Sequence, residues 1–364
     1  MTRRHYGAII ERLVPDGAAP ATGTLPRETL YLPFAAGPYR LAMGLVPLES
    51  GPFEIDGCYP SEMALRSGLL ADRRRSVLAA MPGSESARHE LLAAVARRLS
   101  TDHAMWFSRD GSRLRNLLTD ETWDLASPAL DPLEIAGRLV QEDLCILQPG
   151  ADGPVLTAAI LCFPSHWRLS DKIGRGIAAI HAPVPGFEDR LAAPVGRVLA
   201  QLPAGRCLAR LNWALDDDPR LHQPHISKRP AGDHDDFGSD RSKVMNVTDS
   251  KSLERDAGEK PVPTFSHPAP EKRVTAENAG DSLFLRVERQ TLSRLPASGA
   301  VLFAIRVHVY PLASAITTRA TAARLAAAVH ALPQEVMRYK RLASFREPLL
   351  GWLDGVGEHF RKSE

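Results

Sequence analysis

The sequence predicts an α+β protein: an antiparallel sheet flanked by helices and interrupted by one long polar insert. Three observations carry this. Leu283, Leu285 and Val287 alternate with Phe284, Arg286 and Glu288, and Val301, Phe303, Ile305, Val307 and Val309 repeat the same two-residue period. Pro296, Ser298 and Gly299 lie between the two runs, so the pair reads as an antiparallel hairpin. Apolar residues at helical spacing occur on either side of these runs. From Asp216 to about Asp281 the chain is instead dense in Asp, Lys, Ser, Pro and His, with too little apolar surface to offset the entropy of ordering.

The stretch to about Pro60 is rich in Pro and Gly and reads as turns and short extended pieces laid on the core. A helix is predicted over Ser84 to Leu99, with Ser84 as its cap, Glu85 in its first turn, and Leu91, Leu92, Val95 and Leu99 on one face. A second is expected over Pro132 to Leu144. Val155 to Phe163 is an apolar run of strand length. Phe187 to Leu202 reads as a helix, kinked or split by Pro194. Leu208 to Trp213 is another strand. After the hairpin, a helix over Ile316 to Leu332 and a partly helical Tyr339 to His359 close the pattern. Strands near 155–163, 208–213, 282–289 and 299–310 would share one sheet. The insert falls between two of them, so residues 1–364 read as one domain. It would have a helical N-terminal part at about 61–145, a core at about 150–332 and the insert at about 216–280.

Composition excludes several functions. The apolar share of 44% and the charged share of 24% are ordinary for a globular protein. A net charge of +2 gives no reason to expect nucleic acid or an anionic membrane as a partner. Cys58, Cys145, Cys162 and Cys207 form no CxxC pair, which argues against a local iron–sulfur or zinc site and against a disulfide framework. No apolar run follows Arg3-Arg4, so a cytoplasmic address is expected.

Two motifs are decoys. Gly174-Arg175-Gly176-Ile177-Ala178-Ala179 matches a dinucleotide fingerprint, but Arg168 to Lys172 before it is too polar for a buried strand and Pro183 and Pro185 stop any long helix after it. His222 and His225 have metal-ligand spacing but lead into the polar segment. The densest cluster of unusual residues is Cys162-Phe163-Pro164-Ser165-His166-Trp167, then Lys172, then Ile180-His181-Ala182-Pro183-Val184-Pro185. A haem site needs an axial donor held stiffly, an apolar slot and cations for the propionates. His181 among prolines, Ile180 and Val184, with Lys172, Arg168 and Arg175 nearby, has these parts. A histidine bonded to a backbone carbonyl is the ordinary alternative.

Those stretches, with Asn212-Trp213, the run Leu285-Arg286-Val287-Glu288-Arg289-Gln290-Thr291-Leu292, Pro33-Phe34, Gly37-Pro38-Tyr39, Met43-Gly44-Leu45 and Tyr339-Lys340, resemble the signature segments of the haem-binding subunit of oxidative N-demethylases (dimethylamine monooxygenases). The resemblance covers nearly the whole chain outside the insert. It implies a PAS-like sheet binding haem b. It also implies a monooxygenase that consumes dioxygen and a small methylated amine and releases formaldehyde. Electrons would come from a reductase subunit, with FMN, an iron–sulfur cluster and NADPH on partner subunits. His181 is the expected axial ligand, with Cys162 the alternative. Trp167, Lys172 and Arg286 join them as cofactor-binding candidates, and Glu288 and His166 are the catalytic candidates. Glu288 could hold an ammonium, or form a structural salt bridge with Arg286 or Arg289. The competing function is a haem-based sensor or binding protein without catalysis.

Overall fold

The computed structural model describes residues 12–13, 25–34, 37–127, 129–224 and 273–361. Most of the expected insert, 225–272, and with it His225, lies outside the described residues. In chain order the strands are β1 (Arg12–Leu13), β2 (Leu30–Tyr31), β3 (Val46–Leu48), β4 (Leu78–Ala80), β5 (Phe107–Asp110), β6 (Arg113–Asn116), β7 (Glu121–Asp124), β8 (Asp143–Gly150), β9 (Gly153–Ile160), β10 (Cys207–Asp216), β11 (Phe284–Arg294) and β12 (Val301–Pro311). Seven of them build one sheet in the order β3-β10-β11-β12-β8-β9-β4, and every neighbouring pair in it is antiparallel. β5, β6 and β7 make a separate three-stranded sheet.

The predicted α+β class and the β11–β12 hairpin are present, and three sheet strands go beyond the four expected. β8 is one. The helix expected over Pro132 to Leu144 ends at Gly137, and Asp143 already starts a strand. Asp131 caps the short helix by accepting from the Leu133 amide at 2.8 Å. β3 and β4 are the others; β3 lies in the stretch read as turns and short extended pieces, and β4 shows that the part expected to be helical, about 61–145, also contributes strands. The strand expected over 155–163 runs from Gly153 to Ile160, leaving Cys162 and Phe163 beyond its end. The helix over Phe187 to Leu202 is split into Phe187–Arg190 and Ala192–Gln201, with Pro194 in the first turn of the second piece, where it removes no hydrogen bond. Helix Glu85–Asp102 buries Leu91, Leu92, Val95 and Leu99 as expected. Ser84 does not cap it, because its hydroxyl donates to the Met81 carbonyl at 2.6 Å.

Opposite residues of an antiparallel ladder share a face. Leu208, Arg210 and Asn212 of β10 therefore point the same way as Leu292, Gln290 and Glu288 of β11 and Phe303, Ile305 and Val307 of β12. The other face is covered by helices Tyr59–Asp72 and Glu85–Asp102 on the β8–β9 side and by Arg319–Ala331 and Arg346–Arg361 at the β10–β11 end. That covered face holds a buried layer of charge. Arg306 pairs with Glu62 at 2.7 Å and Asp56 at 3.0 Å, Arg289 with Glu54 at 3.2 Å, and His308 bonds Glu28 at 2.9 Å. At the start of β8, Asp143, opposite Ile305 of the first face, pairs with Arg66 at 3.0 Å. Among the described residues, no helix is long and apolar enough to cross a membrane.

Candidate functional site

The first face of the sheet, around Arg210, Asn212, Glu288 and Gln290, is the less covered one. All four residues are only partly buried. At one end of it the short helix Ile177–His181 and the helix Ala192–Gln201 pack onto β9, with Trp167, Ile173, Ile177, Ile180, Val195, Leu208, Leu292 and Phe303 as half-buried apolar surface over a core of Cys145, Leu156, Leu161 and Leu199.

His181 closes its helix. Its Nδ1 lies 2.9 Å from the Ile177 carbonyl, one turn earlier, and its ring stacks on Phe187 at 4.6 Å and 12°. A carbonyl only accepts, so Nδ1 carries the proton and the Nε2 lone pair is free. No described residue bonds Nε2. Burial pushes the His181 pKa down, the Ile177 bond opposes this, and Lys172 and Arg210 push it further down. The imidazole is therefore held neutral, oriented by its second nitrogen, the state in which histidine binds a metal. Lys172 donates to the Ile180 carbonyl at 2.6 Å and ties the preceding loop to this helix.

Glu288 stands on β11. Its Oε2 accepts from Gln290 at 2.7 Å and from Asn212 at 3.4 Å. It pairs with neither Arg286 nor Arg289. Arg289 points to the covered face and Glu54. Arg286 donates to the carbonyls of Phe163 at 2.8 Å, Leu221 at 3.0 Å, Arg220 at 3.2 Å and Pro164 at 3.3 Å, clamping two loops together. Lys340 donates to the Trp213 carbonyl and to Asn212 Oδ1. Burial pulls its pKa down to about 8, with Glu288 opposing and Arg210 adding to the shift. Tyr39 and Tyr339 complete the group, both pushed up by burial.

Two of the expected residues lie apart from this group. Cys162 is fully buried in the core beneath the N-terminal helices, not among the apolar residues around His181. Its amide donates to Asp143 at 2.7 Å, and burial pushes its thiol up to about 12. His166 adopts a left-handed φ of 60°. It bonds Asp216 at 2.7 Å and touches Arg341, itself left-handed at φ 59°. Burial raises the Asp216 carboxyl, but the His166 bond, the Asp218 amide and Arg341 outweigh it and hold it low. Asp216 is four residues along β10 from Asn212, or about 13 Å, so this node stands at the far end of the face from His181. His222 bonds the Cys162 carbonyl at 2.7 Å. The decoy Gly174-Arg175-Gly176 lies along β9, with Gly176 bridged to Val155, and the helix after it has five residues. Among the described residues, no three His, Cys, Asp or Glu side chains gather as a metal site. Arg210 is absent from the sequence-derived candidates, and its only signal is a cation in the middle of an alternating strand.

A family model described as haem-dependent oxidative N-demethylase, alpha subunit-like, matches residues 49–350. The chain belongs to that family. The match spans all the strands from β4 to β12 and includes His181, Arg210, Glu288 and Lys340; Glu28 and Tyr39 lie outside it. A 50-residue stretch is 51% identical to part of the protein-glutamate methylesterase/protein-glutamine glutaminase of Nitrobacter winogradskyi. It covers 14% of this chain and 12% of that protein, so the chain spans about an eighth of the relative's length.

Proposed function

We propose that this chain is the haem b subunit of an enzyme that removes an N-methyl group from a small amine such as dimethylamine, releasing formaldehyde. The observation that carries the reading is the His181 imidazole, oriented by Ile177 and with Nε2 free, at the edge of half-buried apolar side chains on the less covered sheet face. These residues fit haem. His181 would be the axial ligand, Trp167, Ile177, Ile180, Leu208, Leu292 and Phe303 would bury the porphyrin, and cations stand beside them. Cys162 fits less well, because a thiol held near 12 in the core is neither ionised nor reachable. The PAS-like reading of the sheet belongs to the same proposal and is supported by an antiparallel sheet that carries this apolar surface on its open face.

When bound, the haem supplies dioxygen activation, and the N-methyl carbon leaves as formaldehyde after gaining one oxygen. The chain's own residues bind and orient. Glu288, held by Gln290 and Asn212, offers a fixed carboxylate to the amine as its ammonium, and Tyr39 and Tyr339 offer phenol faces. His166 and Asp216 form a hydrogen-bonded pair able to hold a proton at the other end of the face. Electrons would arrive from a reductase subunit with FMN, an iron–sulfur cluster and NADPH, a division of labour that the words "alpha subunit-like" support. The test is the visible spectrum of the purified protein. A Soret band that shifts on adding dimethylamine, and that is lost in His181→Ala, is expected. A His181→Ala protein with unchanged haem content removes His181 from the role.

A further inference from the structure

The fully buried arginines among the described residues all have partners, whereas the half-buried Arg210 has none. Arg66, Arg289 and Arg306 each pair with a carboxylate, and Arg286 holds four carbonyls. Arg210, on β10 opposite Gln290, makes no hydrogen bond and no ion pair among the described residues, and its Nε is buried without an acceptor. A half-buried guanidinium whose Nε is cut off from water and unbonded is stabilised by a counter-charge. The nearest candidate, Glu288, sits diagonally across the strand pair, with Oε2 already bonded by Gln290 and Asn212. Lys340 draws on the same carboxylate. The group therefore holds more positive than negative charge, and it borders the apolar side chains of Leu208, Leu292 and Phe303. It is a site for a ligand with an apolar body and a carboxylate.

Resting on the haem reading above, we infer that Arg210 is the cation that receives a haem propionate and so fixes how the porphyrin lies over β10 and β11. The planar fork of arginine matches a carboxylate with two parallel bonds, whereas Lys340 is tethered to Trp213 and Asn212. Once the propionate neutralises Arg210, the remaining field at Glu288 suits an ammonium; before that, Arg210 and Lys340 oppose one. Arg210 is a positioning residue in this scheme.

The experiment measures haem transfer from the full chain to excess apomyoglobin, for wild type, Arg210→Lys and Arg210→Gln, each loaded with haem or with haem dimethyl ester. Wild type is expected to release the ester about tenfold to a hundredfold faster than haem, as loss of a charge-assisted pair implies. Arg210→Gln should release haem faster by a similar factor and distinguish the two poorly, with Arg210→Lys between. If Arg210→Gln keeps wild-type release, or keeps the full preference for haem over its ester, the inference falls while the haem reading stands. If Arg210→Gln does not fold, an unchanged preference in Arg210→Lys overturns it equally. A wild-type protein that takes up no haem, with no Soret band, removes both readings together.

Discussion

Glu142 is the buried acid whose replacement reports most directly on the charged layer beneath the sheet. It is fully buried. Its Oε1 accepts from the Glu54 amide at 2.9 Å, and its Oε2 has no partner among the described residues. Burial raises its pKa from 4.5 to about 7, more than Arg306, the Glu54 amide and Arg289 lower it. Between those two values the folded protein binds a proton that the unfolded chain has released, so stability falls as pH rises through the window. The displacement is worth about 3 kcal/mol once the pH is above 7. Glu142→Gln keeps the oxygen that accepts from Glu54 and cannot ionise. Relative to wild type it should gain about 2.5 kcal/mol between pH 5 and pH 8, whatever its constant offset. His308, also raised, contributes a loss over an overlapping range in both proteins, so the difference between them is the quantity to read. Urea unfolding at pH 5, 6, 7 and 8 gives it. A difference that stays constant across that range would refute the reasoning, and Glu142 would then ionise as easily inside the protein as outside it.

Three further outcomes are expected. Gly137→Ala would place a methyl group 2.3 Å from Ile160 Cδ1, where the short helix meets β9, and should cost about 1–3 kcal/mol; an unchanged melting temperature contradicts that contact. Arg286→Met leaves four carbonyls of the 163–164 and 220–221 loops without their donor and should destabilise by at least about 3 kcal/mol in a denaturant titration; a loss below about 1 kcal/mol means the clamp is dispensable. The purified chain mixed with NADPH and dimethylamine should leave the NADPH absorbance flat, and steady turnover without a second protein would place the electron supply on this chain.

How much of this is legible in the sequence depends on how local each signal is. The β11–β12 hairpin is legible because its alternation and turn lie within thirty residues, about one supersecondary unit. β8 is not, because Asp143 to Leu147 are all buried. A strand covered on both faces shows no period, and its apolar residues extend a helical pattern begun at Pro132. β3 and β4, at three residues each, are too short to carry a period. His181 is legible because its apparatus is local: Ile177 orients it one turn away, Phe187 stacks on it, and prolines follow.

The charge partners behave in the opposite way. Arg306 and His308 alternate with apolar residues on a strand, the pattern of a solvated face. They are buried because Asp56 and Glu28 reach them from 250 and 280 residues away. Arg289 likewise meets Glu54 only after folding. Nothing within a window of sequence separates these arginines from Arg210, which sits in the same kind of alternating strand. Only the folded partners do: the acids that come to the covered face from the segment between Glu28 and Glu62 do not reach the open face. The fold thus neutralises Arg289 and Arg306 on one side of the sheet and leaves the half-buried Arg210 on the other side without an ion pair, near an unbonded imidazole nitrogen and apolar surface. A ligand that is apolar, metal-bearing and acidic would engage all three at once, and that conjunction, rather than any one residue, supports the proposal of haem.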